Sequence, residues 1–286
     1  MIERIAIFGT GLLGASAGLA LRANGFNGSI AGWNRSPEQA QTALQMGALD
    51  SVATDPLQMA RESQVVLLAT PVHAILDWME KLAGVLGPDH LVTDVGSTKA
   101  QITAAADRLF NQARRAAFLP GHPMAGKERG GAALADAELF RGAVWLFTDD
   151  PQWERCEAAA ELVRDWRAWV TALGARVLDL DAIRHDELVA WVSHLPQLVA
   201  TALSALLEDH VGDAPELKDL GGRGLREMTR LGASPYSMWR DIAHTNSNAI
   251  QNALLMLEQR LAHVRENLRT PELRVEFDKA NRFRKE

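Results

Sequence analysis

The sequence is poor in the features that mark several large classes of protein. It has a single cysteine, Cys156, among 286 residues, which excludes an internal disulfide and a cysteine-rich metal centre and fits a reducing compartment. It has no surplus of positive charge: 30 Lys and Arg against 36 Asp and Glu leave a net charge of -6, without the basic footprint of a protein that grips a phosphate backbone. The basic end Arg282-Phe283-Arg284-Lys285 is too short for an arm and reads as a solvated helix end. No uninterrupted apolar run approaches the ~18 residues that a bilayer demands, and no signal-peptide pattern opens the chain. The expectation is a cytoplasmic protein with neither nucleic-acid nor membrane partners. Gly (22) and Pro (11) are too few for a collagen-like or low-complexity chain, and 47% hydrophobic with 23% charged residues can bury a sizeable core.

What the sequence does have is a rhythm. In the first half, short apolar runs (Ile5–Phe8, Ser29–Trp33, Val65–Ala69, Leu91–Val95) alternate with stretches of helical composition such as Pro37–Met46 and His73–Leu82. This order predicts a parallel sheet with helices on both faces. Further strands are predicted at Ala116–Leu119, Ala143–Phe147 and Arg176–Leu178. Between the last two, Cys156, Ala159, Val163, Trp166, Val170 and Leu173 recur at spacings of three and four, one face of a long helix laid on the sheet. From Asp181 onward only helical periodicity remains, broken by Pro196, Pro215, Gly221-Gly222, Pro235 and Pro271. The fold class is therefore α/β: a Rossmann-type parallel-sheet domain over residues 1–179, then an all-helical dimerisation domain over 180–286. In the latter, Ile250, Leu254, Leu257, Leu261, Val264 and Leu268 step by four and three without interruption. That seam of about five turns suits a homodimer interface, with a plain buried helix as the alternative.

Gly9-Thr10-Gly11-Leu12-Leu13-Gly14 follows the first strand and opens a helix. Glycines there allow a tight turn and close approach of backbone to a pyrophosphate, while the helix N-terminus receives the anion. In strand-turn-helix context the motif predicts dinucleotide binding at Gly9, Gly11, Leu12, Leu13 and Gly14. The second strand ends Asn34-Arg35-Ser36-Pro37. An NAD site places a carboxylate there to accept from the ribose hydroxyls. Asn34 removes the repulsion of a 2′-phosphate, and Arg35 and Ser36 can pair with one, so NADP is preferred and NAD is the alternative. Ser36 can cap the helix from Pro37 in either case. Thr70 and Pro71 close the fourth strand at the carboxyl edge, where they contact the nicotinamide half or simply end the strand.

Asp94-Val95-Gly96-Ser97-Thr98-Lys99 leaves another strand at that edge; on spacing alone Ser97 reads best as an ordinary helix N-cap. His122, between prolines and glycines in Pro120–Lys127, is expected in a loop, where an imidazole suits proton transfer during hydride removal. In the helical half, Ser193-His194-Leu195-Pro196-Gln197 puts hydroxyl, imidazole and amide in one turn. Arg230 is a solvated helix arginine or a planar fork for a carboxylate. His185, Asp186 and His194 would be the candidate zinc ligands, but no HxxxH or HxxEH spacing occurs and no metal is expected.

These motifs together, in this order over about residues 2 to 265, resemble the prephenate/arogenate dehydrogenase family of tyrosine biosynthesis: the glycine loop, Asp94–Lys99, Gly121–Glu128, Ser193–Pro196, and Arg230 with Trp239 nine residues on. The resemblance implies oxidative decarboxylation of prephenate, arogenate or both. A nicotinamide takes hydride from the ring carbon bearing the hydroxyl, carbon dioxide leaves, and the ring aromatises. By motif position it makes His122 the catalytic histidine, with Ser97 assisting and Gly96 beside the cofactor. It places Ser193, His194, Glu128, Gln197 and Trp239 at the pocket and Arg230 on a substrate carboxylate. It also implies dimers joined through the helical domain. Gln197 stands where many prephenate-using members carry a second histidine, and Asn34 resembles the NADP-type members. Two other readings remain: a β-hydroxyacid-type dehydrogenase, for whose catalytic lysine only Lys218 is available between Asp181 and Glu276, and a non-catalytic dinucleotide-sensing dimer.

Overall fold

The computed structural model describes residues 1–112 and 114–285, apart from the side chains of Leu217 and Lys218, so the Lys218 reading lies outside the described residues. Strands β1 (Arg4–Phe8), β2 (Ser29–Trp33), β3 (Ser51–Val52), β4 (Val65–Leu68), β5 (Leu91–Asp94) and β6 (Ala117–Leu119) form a parallel sheet in the order β3-β2-β1-β4-β5-β6. This is the doubly wound dinucleotide-binding order. Helices α1 (Leu12–Ala23), α2 (Pro37–Gln45), α3 (Pro56–Arg61), α4 (Val72–Ala83) and α5 (Ala100–Leu109) connect the strands. Because helices cover both faces, both sides of each strand are apolar. Ile5, Ile7, Val65 and Leu67 point into one core layer, and Ala6, Phe8, Val66 and Leu68 into the other.

The later strands depart from the expectation of one parallel sheet. β7 (Gly121–Pro123), β8 (Val144–Phe147) and β9 (Arg176–Asp179) form a separate sheet, with β7 antiparallel to β8 and β8 parallel to β9. His122 therefore sits in a strand, opposite Leu146, rather than in a loop. The flanking Pro120 and Pro123 disguise it, since proline is tolerated on a short edge strand. Helix α6 (Glu157–Ala172) carries the anticipated periodic face, with Ala159, Val163, Trp166 and Val170 in the core.

Beyond β9 every element is helical: α7 (Ala182–Val189), a π-helical turn (Ala190–His194), α8 (Leu195–Val211), α9 (Leu217–Leu220), α10 (Arg223–Thr229), α11 (Tyr236–Thr245), α12 (Ser247–Glu266) and α13 (Glu272–Lys285). The π turn lies just ahead of Pro196, whose ring and missing N–H are incompatible with the regular ladder. The run Ala182–Val211 contains a window of mean hydropathy 1.3, long and apolar enough by length and composition to cross a membrane. Interspersed polar residues break it, so that no uninterrupted apolar run marks it in the sequence. It carries the buried His185, Asp186 and His194, and with them one wall of the site described below.

This unit has a small core, Ala190, Ile242 and Ile250 with Leu198, Trp239 and Leu254 against it. It leaves Val192, Leu206, Leu220, Tyr236, Leu261 and Phe283 more than half exposed. Apolar surface on that scale marks an association face. The seam is shorter than expected, because α12 ends at Glu266 and Leu268 lies beyond it.

Candidate active site

The strands end level. Phe8 pairs with Trp33 and with Leu68, and Leu68 pairs with Asp94, so Gly9, Asn34, Ala69 and Val95 all emerge at one carboxyl edge. Gly9 turns the chain with φ 88°, and a Cβ on it would lie 2.4 Å from the Ala69 carbonyl oxygen. A Cβ on Gly14 would lie 2.0 Å from the Gly9 oxygen, so only glycine lets α1 approach the strand this closely. Helix α1 opens with no side-chain cap, which leaves its first N–H groups for an anion, and open space faces Gly11. Beside this loop the Thr70 hydroxyl is buried without a hydrogen-bond partner among the described residues. An orphaned polar group in that place fits a bound dinucleotide. Leu12 is buried, and the half-buried Leu13 packs α1 onto the core. Pro71 is exposed and starts α4.

Asn34 is turned inward: its Nδ2 donates to Thr10 Oγ1 at 3.2 Å, and its Oδ1 accepts from the Ser36 N–H at 3.0 Å. Ser36 occupies the cap position of α2 but makes no side-chain capping bond, because Asn34 closes this turn instead. Arg35 is exposed and belongs to no ion pair among the described residues.

His122 meets the helical unit directly. Its Nδ1 lies 2.9 Å from His185 Nε2, and His185 Nδ1 lies 2.8 Å from Asp186 Oδ1. The Asp186 carboxylate also accepts from the backbone N–H groups of Lys99 (2.7 Å) and Ala100 (2.9 Å), so it caps α5 from the other unit. This corrects the capping role read for Ser97. The helix starts at Ala100 with Lys99 at its cap position, which leaves Ser97 upstream, half-buried in the loop with Gly96. Asp94 accepts from the N–H of Gly96 at 2.7 Å and of Gly121 at 3.0 Å, and pairs with the Lys99 ammonium; both side chains are fully buried. The Gly121 bond ties β7 to the end of β5 and brings His122 to the glycine-loop edge. Burial drives the Asp94 carboxyl up and the Lys99 ammonium down, each opposed by the other's charge.

Desolvation holds the His122 pKa well below the ordinary histidine value, and neighbouring His185, Lys99 and His194 lower it further. The imidazole is therefore neutral at pH 7. Burial brings His194 down to about 4. Its Nδ1 lies 3.3 Å from Asn246 Nδ2, which also donates to the Asp186 carbonyl at 2.8 Å. The proton of His194 then sits on Nε2, which is buried with no partner among the described residues, as is Nε1 of Trp239, whose ring stands edge-on 5.8 Å away. Two unpartnered buried donors side by side point to a ligand.

Arg230 pairs with Glu128 of the loop after β7, bridging the units from the exposed side. Gln197 commits its amide to the Arg230 segment, donating to the Leu231 carbonyl at 2.6 Å and accepting from Ser234 Oγ at 3.0 Å. Ser193 is half-buried on the π turn. Among the described residues no group of three or more His, Cys, Asp or Glu side chains is placed to hold a metal. His185 and Asp186 are instead engaged with His122 and α5.

The family model described as prephenate dehydrogenase, nucleotide-binding domain, matches residues 17–172, and the prephenate dehydrogenase dimerization domain matches 181–279. The chain belongs to the prephenate dehydrogenase family. The second match supports homodimer formation through the helical unit. A Bacillus subtilis prephenate dehydrogenase is 32% identical over 252 residues, 87% of this chain and 66% of that protein, so the chain spans about two thirds of that relative's length. A solved prephenate dehydrogenase from A. aeolicus, in complex with hydroxyphenyl propionate and NAD+, has 29% identity and a TM-score of 0.85, covering 100% of this chain and 98% of its own. The arogenate dehydrogenase of Synechocystis has 29% identity and a TM-score of 0.75, covering 99% of each chain.

Within this family member, sequence reasoning missed the groups that act through tertiary contact. His185 and Asp186 were visible only as candidate metal ligands. Nothing local marks Asn246, which reaches Asp186 across 60 positions, or Thr245, whose hydroxyl lies 2.8 Å from that of Thr98 across 147.

Proposed function

We propose that this chain is an NAD(P)-dependent dehydrogenase that oxidatively decarboxylates prephenate, arogenate or both. The observation that carries this reading is one neutral, buried imidazole, His122, at the sheet edge that also holds the glycine loop, with Arg230 of the helical unit bridging to the loop that follows it. When bound at the glycine loop and Thr70, the nicotinamide supplies the hydride acceptor. His122 takes the proton of the ring hydroxyl as hydride leaves the same carbon. The bond to the ring carboxylate then breaks, its electron pair aromatises the ring, and the phenolic oxygen recovers the proton from His122. The reaction releases no net proton, so the base needs only to borrow one. Arg230 binds a substrate carboxylate in place of Glu128, and Ser97, His194 and Trp239 supply donors around the ring. Aromatisation drives the chemistry, so orientation, one base and charge clamps suffice.

We further propose NADP as the preferred acceptor. Asn34 places no carboxylate at the ribose, and the Arg35 fork, in no ion pair among the described residues, and the Ser36 hydroxyl, which makes no capping bond, would meet a 2′-phosphate. The functional units divide at Asp179-Leu180, and the dimer forms through the apolar surface around α12. The test follows reduced-cofactor absorbance with prephenate, arogenate and a 3-hydroxyacid, each with NADP and NAD. Turnover of a cyclohexadienyl substrate with higher kcat/KM for NADP is expected. Turnover of the 3-hydroxyacid alone, or of nothing, overturns the activity, and a preference for NAD overturns the cofactor assignment.

A further inference from the structure

We propose that Asp186 and His185 are positioning residues that fix the protonation geometry of His122 from the opposite unit. The proposal rests on the reading of His122 as the base. Asp186 lies at the N-terminus of α5, where its two carboxylate oxygens accept the backbone N–H groups of Lys99 and Ala100 beside the positive end of the helix dipole. A carboxylate can only accept, so His185 must donate to it from Nδ1. Being neutral, with desolvation keeping its pKa low, His185 then has a bare Nε2. That atom faces His122 Nδ1 at 2.9 Å, so the proton between them belongs to His122. One tautomer remains for His122: hydrogen on Nδ1, lone pair on Nε2. It is the form able to take a hydroxyl proton.

The chain of bonds has a second effect. When His122 accepts that proton, the new positive charge is shared toward Asp186 through His185, without proton transfer to the carboxylate. This is the role of the aspartate in a Ser-His-Asp triad, with one imidazole inserted. The other ionisable groups around His122 are Lys99 at the cap of α5, paired with Asp94 at the end of β5, and His194 on the π turn. Lys99 and Asp94 neutralise each other and His194 is uncharged above pH 5, so Asp186 is the carboxylate bonded into this chain.

The test combines imidazole 15N NMR with kinetics. In the wild-type protein at pH 7.5 both His122 and His185 should show Nδ1–H signals with an unprotonated Nε2. Asp186→Asn can present its amide N–H to His185, and should invert both tautomers and lower kcat by roughly 10²–10⁴ with KM nearly unchanged. His185→Phe, which leaves the α5 cap in place, should lower kcat similarly and move the acidic limb of the pH–kcat profile, and His185→Gln should restore part of the rate. An Nε2–H signal from wild-type His122, or full kcat in His185→Phe, overturns the proposal. If Asp186→Asn fails to fold, His185→Phe decides alone. The expected tautomers in a protein that turns over neither substrate would leave the relay standing and remove the proposed reaction instead.

Discussion

His122→Asn keeps a neutral polar side chain on β7 but removes the ring nitrogen proposed to accept a proton. Turnover should fall at least about 100-fold, while binding of reduced cofactor, followed by its fluorescence, stays unchanged; retained activity would exclude the histidine as base. Arg230 is exposed in its pair with Glu128, so Arg230→Ala should leave the fold intact and raise KM about 10-fold or more, the worth of a charge-assisted hydrogen bond. An unchanged KM would remove it from the pocket. Two glycines of one loop should separate packing from binding. Gly14→Ala drives a methyl into the Gly9 carbonyl and should lower Tm by several degrees. A Cβ on Gly11 meets nothing within 4 Å, so Gly11→Ala should keep the Tm and weaken cofactor binding alone. Equal Tm values for the two variants would refute that division.

At the scale of elements, α12 presents Ile250 inward and Leu261 outward, the latter 58% exposed. Leu261→Glu should therefore yield a folded protein that sediments as a monomer, and an unaffected dimer would place the interface elsewhere. Legibility in the sequence followed how local each element's cause was. β1, the glycine loop and α1 were readable because alternation, turn chemistry and helical periodicity fall within about 20 consecutive residues. The long face of α6 was readable for the same reason. β7 was not, since a three-residue strand between prolines exists only by pairing with β8, twenty-odd positions on. The cap of α5 was misassigned because its acceptor, Asp186, lies 87 positions away. Of the candidate site, His122 stood out by its surroundings between prolines and glycines, and Ser97 and Arg230 took site roles only through the family motifs, whereas the His185–Asp186 arrangement needed the fold to give it direction.

For the molecule as a whole, buried neutral histidines set the acid side of stability. His194 titrates near 4 when folded and near 6.5 when unfolded, so between those values the unfolded chain binds the extra proton and stability rises with pH. Its contribution is complete above about pH 6.5 and is lost progressively toward pH 4, roughly 2 kcal/mol of it by pH 5. Urea unfolding at pH 7 and pH 5 should show that loss, and His194→Gln should shrink it; a variant with the full pH dependence would assign the effect to other groups. The cap that α7 places on α5 also bears on how this enzyme family can be recombined. Grafting the N-terminal half onto a foreign C-terminal half would transplant the proposed proton acceptor, His122, without Asp186, the carboxylate proposed to orient it, and a hybrid broken at residue 180 should dock yet idle. Moving the crossover to follow Asp186, so that the two travel together, is the splice that should keep it working.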